Sequence, residues 1–231
     1  MKTLQKSGGL AALYLAVAYL IGLVLFIVVL DYPSITDPAQ KVALLVAKPL
    51  VIFATNLLMY VFFGVFLVVL SLALYDRLKT AAPTLMQAAT AMGIIWAGSL
   101  IAGGMVSNAG IDPTVALYAT DPAQAALSWQ GIETVAAGLG NGNGEILGGL
   151  FTLLVSLAAL RGGKLPRGLN ILGLLVGAVG IVSILPGLTS LVSVFGLSQM
   201  VWYVWLGIVL LRGRQSEPAS KPVEFAQQGI S

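Results

Sequence analysis

The sequence predicts an all-α, polytopic membrane protein. Six transmembrane helices are built from repeated two-helix hairpins, with both termini in the cytoplasm. Three observations carry this reading: a mean hydropathy of +0.96, basic residues gathered on one side of the apolar runs, and a five-residue helix cap that occurs twice. A chain of 231 residues that is 58% hydrophobic and 9% charged has too much apolar surface to hide in one water-soluble core.

The spans come first. About 20 apolar residues cross a hydrocarbon core of about 30 Å. Runs that meet this length cover residues 9–30, 49–75, 85–107, 138–160, 168–187 and 191–211. The first reads as a retained helix rather than a signal peptide. It is too long for a signal peptide's apolar region, and Asp31-Tyr32-Pro33 after it is no small-residue cleavage site.

Charge orients the spans. Lys2 and Lys6 precede the first, and Arg77 and Lys79 follow the second. Arg161, Lys164 and Arg167 separate the fourth from the fifth, and Arg212, Arg214 and Lys221 follow the sixth. Ten of the twelve basic residues thus share one side, and only Lys41 and Lys48 lie on the other. The excess of Lys and Arg on cytoplasmic loops puts both termini inside, which an even number of spans requires. The transmembrane domain is 1–212, with hairpins about 1–79, 80–164 and 165–212. Residues 213–231, polar and carrying Pro218 and Pro222, are expected to be a disordered cytoplasmic tail. The sequence pI of about 9.2 implies no nucleic-acid partner; attraction to anionic lipid of the inner leaflet accounts for it.

The repeat is visible in Thr-Asp-Pro-Ala-Gln at 36–40 and again at 120–124. Asp37 and Asp121 are expected to cap helix N-termini, with Pro38 and Pro122 in the first turn and Gln40 and Gln124 at the capping-box position. The match continues at a spacing of 85 residues, one more than separates the caps. Gly64-Val65-Phe66 pairs with Gly149-Leu150-Phe151, Asn56 with Asn141, and Tyr60 with Glu145. A weaker third copy pairs Asn56 with Gln199 and Tyr60 with Tyr203. Residues 38–52 and 122–137 precede the spans and are expected to be outer extensions, kinked or lying on the surface. Lys48 in one copy corresponds to Glu133 in the other, so a Lys48–Glu133 ion pair is one expectation; two separate interfacial charges are the other.

Residues 138–149, Gly-Leu-Gly-Asn-Gly-Asn-Gly-Glu-Ile-Leu-Gly-Gly, are the most unusual stretch. Read as one helix, they form two ridges. Gly140, Gly144 and Gly148 recur every four residues as a double GxxxG for close helix packing, and Gly173 with Gly177 gives the fifth span its own such face. Asn141 and Glu145 lie on the adjacent ridge. The alternative is a break near residues 140–144. Unwound backbone at membrane depth is tolerated where it lines a cavity or is buried in protein.

Glu145 is the one acid expected within the hydrocarbon, where ionisable residues are costly and mark functional sites or interhelix hydrogen bonds. The repeat suggests its neighbours. Glu145, Asn141, Asn56, Tyr60, Gln199 and Tyr203 are expected to form a polar cluster in the outer half of the bundle, able to hold a small apolar or cationic ligand, or a proton. A purely structural hydrogen-bond network is the alternative. Trp202, Tyr203 and Trp205 fall nearer mid-membrane than interface and are expected to pack against neighbouring helices.

Several functions are excluded or disfavoured. There is no cysteine and no histidine, so no disulfide or thiolate site can form and the commonest metal and haem ligand is absent; no cofactor or metal is expected. Neither a dinucleotide fingerprint nor a P-loop is present; the only Gly-Lys, Gly163-Lys164, continues with Leu165. No catalytic pair of Ser or Cys with His exists, so an enzyme is not expected. A lipid-modifying activity using Glu133, Asp112 and Asp121 at the outer face is the residual catalytic alternative.

Four stretches together resemble bacterial integral membrane proteins of domain-of-unknown-function family 4386. They are Lys-Ser-Gly-Gly-Leu-Ala-Ala at 6–12, the two Thr-Asp-Pro-Ala-Gln caps, Gly-Asn-Gly-Glu-Ile-Leu-Gly-Gly at 142–149, and Gln-Met-Val-Trp-Tyr-Val-Trp-Leu-Gly-Ile at 199–208. The resemblance implies a multi-pass protein of the bacterial cytoplasmic (inner) membrane and brings no established activity. Two functions follow: a small-solute, lipid or proton binding or transport-type protein, or a non-catalytic structural or accessory subunit of a homo-oligomer or larger membrane complex.

Overall fold

A computed structural model describes residues 2–140 and 144–212. Asn141 and the 213–231 tail, for which the sequence carries expectations, lie outside the described residues. Those described form helices α1 (Lys2–Leu23), α2 (Pro38–Ala47), α3 (Pro49–Asn56), α4 (Phe63–Leu78), α5 (Pro83–Tyr118), α6 (Pro122–Leu139), α7 (Ile146–Gly162), α8 (Arg167–Val182) and α9 (Leu191–Arg212), with no strand among them. Helix α1 runs on into a π-helical turn at Val24–Val29, and a second such turn, Leu57–Phe62, joins α3 to α4.

Four segments are long and apolar enough to cross a membrane: Thr3–Val29, Pro49–Leu78, Pro83–Tyr118 and Leu191–Arg212. Helix α1 shows why they suit lipid. Ala11, Ala12 and Leu15 are buried on one face, while the opposite face exposes Leu10, Val17 and Leu20. A helix apolar all round has no side for water. Helices α7 and α8, at 17 and 16 residues, are shorter than the spans expected there. The fourth predicted span began at 138; in the structure its first residues end α6, and the chain breaks before α7.

Helices α1, α4, α5, α7, α8 and α9 form a closed ring in which each packs on the next and α9 returns to α1. Aromatic rings fill the centre. Trp96 meets Phe63, Phe151 and Phe195 at centroid distances of 6.0, 6.2 and 6.4 Å. Such pairs contribute about 0.5–1.5 kcal/mol each beyond their buried area. Trp202 and Tyr203 are also buried here, and Trp205, though 39% exposed, sets its ring against Gly168 of α8.

Small residues bring α7 and α8 together. A Cβ added at Gly149 would lie 2.8 Å from the Gly177 carbonyl oxygen, so only glycine allows the two backbones this approach. Gly173 lies against Ser156 and Trp202, and Gly177 against Gly149 and Leu153. Gly148 instead admits the rings of Trp96 and Phe195.

A second, smaller core lies at the end of the bundle away from the basic clusters. Val42 and Leu45 of α2, Ile52 of α3, Ile111 of α5 and Ala125 and Trp129 of α6 pack with Leu30. The two repeated caps build it. The Asp37 carboxylate accepts from the Ala39 N–H at 2.9 Å, and the Asp121 carboxylate from the Gln124 N–H at 3.0 Å. Each satisfies an otherwise unpaired first-turn donor, an interaction that contributes about 1 kcal/mol. The expected outer extensions are therefore real helices, α2 and α6, packed against each other and against the far end of α5.

Candidate functional site

Where this cap of helices meets the ring, a cavity of about 270 Å³ opens. Helix α6 lines it with Trp129, Glu133 and Ala136–Ala137, three successive turns of one face. Helix α5 adds Gly103 and Ser107, and the end of α3 with its π-helical turn adds Thr55, Asn56 and Tyr60. Phe26, Leu30 and Tyr32 close it from the α1 side, and Gly140 from the end of α6.

The polar wall is a chain of hydrogen bonds. Trp129 Nε1–H donates to the Tyr32 hydroxyl at 3.3 Å, and that hydroxyl donates to Glu133 Oε1. Lys41 Nζ completes it as an ion pair at 3.2 Å from Glu133 Oε2, and lies 5.0 Å from the Tyr32 ring centroid. Burial and the Glu133 carboxylate push the Tyr32 phenol above its ordinary value near 10, because both disfavour a phenolate. Tyr32 is delivered by a bend at Asp31, which adopts a left-handed conformation at φ 48°. Asp tolerates this region better than most residues, and Ser34 Oγ–H holds the bend by donating to the Asp31 carbonyl at 2.8 Å.

The expected Lys48–Glu133 pair does not form. Lys41 takes Glu133, and Lys48 Nζ donates to the Val29 carbonyl at 3.1 Å. Lys48 sits at the junction of α2 and α3, and its ammonium reaches back to α1. Lys41, near the start of α2, reaches α6.

The continuous Gly140–Gly144–Gly148 ridge is also corrected. Helix α6 ends at Leu139, and Gly140 follows it as the cap. Gly144 has φ +103°, and Glu145 is the residue before the first turn of α7. The break has a tertiary cause. A Cβ at Gly144 would lie 2.7 Å from Ile184 Cα, and the Glu145 N–H donates to Ser183 Oγ at 2.9 Å. The end of α8 thus fixes the start of α7.

The six predicted cluster residues divide into layers. Asn56 and Tyr60 line the cavity. Asn56 Nδ2 donates to Asn108 Oδ1 at 2.9 Å, and Asn108 Nδ2 in turn donates to the Phe53 carbonyl. Glu145, Gln199 and Tyr203 lie in the ring's interior, all buried. Gln199 Oε1 accepts from Thr152 Oγ1–H at 3.1 Å. Tyr19 packs beside Tyr203 there, with ring centroids 6.4 Å apart.

Five site residues escape the sequence reading: Tyr19, Tyr32, Lys41, Asn108 and Trp129. Tyr32 and Lys41 flank the first cap and Trp129 follows the second, so the repeat marks their neighbourhood, though not their contacts. Chemically, the site offers a carboxylate already balanced by an ammonium, aromatic faces, and amide and hydroxyl groups at the floor. It can hydrogen-bond a small polar solute, and an amine could compete with Lys41 for Glu133. Among the described residues, no group of acids is placed to hold a metal ion. No protein-family model, no curated protein and no solved structure matches the chain.

Proposed function

We propose that this is a six-span protein of the bacterial cytoplasmic membrane that binds a small amine-bearing or cationic solute from the outer side, as a binding or transport-type protein without catalytic activity. In this reading both termini are cytoplasmic, and α7 and α8 are the two short spans. The π-helical turn holding Tyr60 and the break before Glu145 are the same position of a duplicated hairpin. π-Turns within α-helices concentrate at functional sites, and Tyr60 and Glu145 stand 85 positions apart. The resemblance to domain-of-unknown-function family 4386 agrees with this placement. The observation that carries the reading is the cavity of about 270 Å³ with Glu133 and Tyr32 on its wall and Asn56 and Tyr60 at its floor.

Native mass spectrometry of the protein released from lipid particles tests it. A co-purifying small solute, lost in Glu133→Gln and Tyr60→Phe variants, supports the proposal. A solute-free protein that leaves the membrane bound to other chains supports a second reading, an accessory subunit of a larger complex. Leu127 and Val135 favour that reading, because they are 70% and 54% exposed on the cap helix α6, where partner chains would cover them.

A further inference from the structure

The opposite end of the bundle, where the basic residues gather, holds a separate pocket of about 490 Å³ that neither the outer cavity nor the polar layer explains. Arg77, Lys164 and Arg212 line it together with Trp205 and Ile208, and no acid among the described residues lines it. Arg77 is held in place: Nη1–H donates to Gln5 Oε1 at 2.9 Å and Nη2–H to the Lys164 carbonyl at 3.1 Å. Its Nε–H is buried and has no partner among the described residues. The nearby acid Asp76 is engaged elsewhere, 2.7 Å from Lys79. Three cations sharing one recess repel one another, and an anion relieves that repulsion.

The pocket does not end at the bundle's tip. Trp205 and Ile208 also belong to an apolar groove of about 480 Å³ between α1 and α9, walled by Leu13, Val17, Leu20 and Val204. A basic recess that shares Trp205 and Ile208 with an apolar groove has the chemistry of an anionic phospholipid: phosphate at one end, acyl chain along the other.

We infer that this seam binds an anionic phospholipid, its phosphate among Arg77, Lys164 and Arg212 and an acyl chain in the α1–α9 groove past Trp205. A free phosphate shares the headgroup chemistry but has nothing to place in the groove. The test uses the full purified chain in a neutral detergent, titrated with phosphatidylglycerol, phosphatidylcholine or inorganic phosphate, with bound lipid counted by native mass spectrometry. The expected result is retention of phosphatidylglycerol over phosphatidylcholine by about 30-fold or more, falling by about 30-fold in a Lys164→Gln, Arg212→Gln double variant, the weight of two interfacial cations. Val204→Trp, which fills the groove, should lower retention of both lipids. In the wild-type protein, raising the salt concentration should weaken phosphatidylglycerol retention, because screening acts on the headgroup contacts. Equal retention of the two lipids, or a preference insensitive both to salt and to loss of the two cations, overturns the site. Inorganic phosphate that displaces the bound lipid at equal concentration overturns the acyl-chain half.

Discussion

The Tyr32 hydroxyl donates to the Glu133 carboxylate across 101 residues of chain, tying the bend after α1 to the middle of α6. The same oxygen accepts from the Trp129 indole. One phenol therefore satisfies the Trp129 donor and joins Lys41 in satisfying the Glu133 carboxylate in a half-buried wall. Tyr32→Phe removes both contacts at once. The expected loss is about 1–3 kcal/mol of stability, the cost of leaving buried polar groups unpaired, measured by thermal unfolding in detergent. A double-mutant cycle with Glu133→Gln should show coupling between the two sites.

Glu133 should couple to Lys41 and not to Lys48. The Lys41–Glu133 pair is partly exposed, at 24% and 25% of the two side chains, so screening limits it to about 0–1 kcal/mol. Lys41→Met in cycle with Glu133→Gln should give a coupling energy in that range, reduced by salt. The Lys48→Met cycle should give none, since Lys48 is bonded to the Val29 carbonyl.

Alkaline pH should weaken the cap. The Tyr32 phenol titrates above its ordinary value near 10 in the folded protein, from burial first and Glu133 second. Between the unfolded and the raised folded pKa, the folded state binds the extra proton. The contribution of Tyr32 is therefore fully present below about pH 10 and declines as pH rises above it. Unfolding midpoints measured from pH 8 to 11 should fall above pH 10 in the wild type, with a shallower fall in Tyr32→Phe.

Gly144 and Gly131 should respond oppositely to alanine. Gly144→Ala forces a side chain into φ +103° and against Ile184 Cα, and should destabilise by about 1–3 kcal/mol. Gly131, inside α6, has open space where a Cβ would go. Gly131→Ala should stabilise by up to about 1 kcal/mol through helix propensity alone. Thermal unfolding of the two single variants checks both signs.

Local chemistry was legible in the sequence, and tertiary partnership was not. Asp37 and Asp121 cap their helices as their spacing predicts, because capping needs only the next three residues. The stretch from Gly138 to Gly149 supports a packing ridge and a break equally well in one dimension. What selects the break is the end of α8, where Ser183 and Ile184 meet Glu145 and Gly144. The repeat paired Lys48 with Glu133 by correspondence, and corresponding positions of two copies need not touch. Asn108 was missed because span three was expected to stop at 107. Helix α5 instead continues through Pro113 to Tyr118, held by the cap residues packed along it.

The central claim, an outward-open cavity at the junction of cap and ring, is tested most directly by the reactivity of a single cysteine in this cysteine-free chain. Ser107→Cys is close to isosteric and sits on the cavity wall. Val201→Cys, on the apolar face of α9, supplies the lipid-facing control. The account predicts that a small, charged, membrane-impermeant thiol reagent added from outside labels Ser107→Cys much faster than Val201→Cys, with labelling slowed by a bound amine solute. Equal protection of the two cysteines would contradict it.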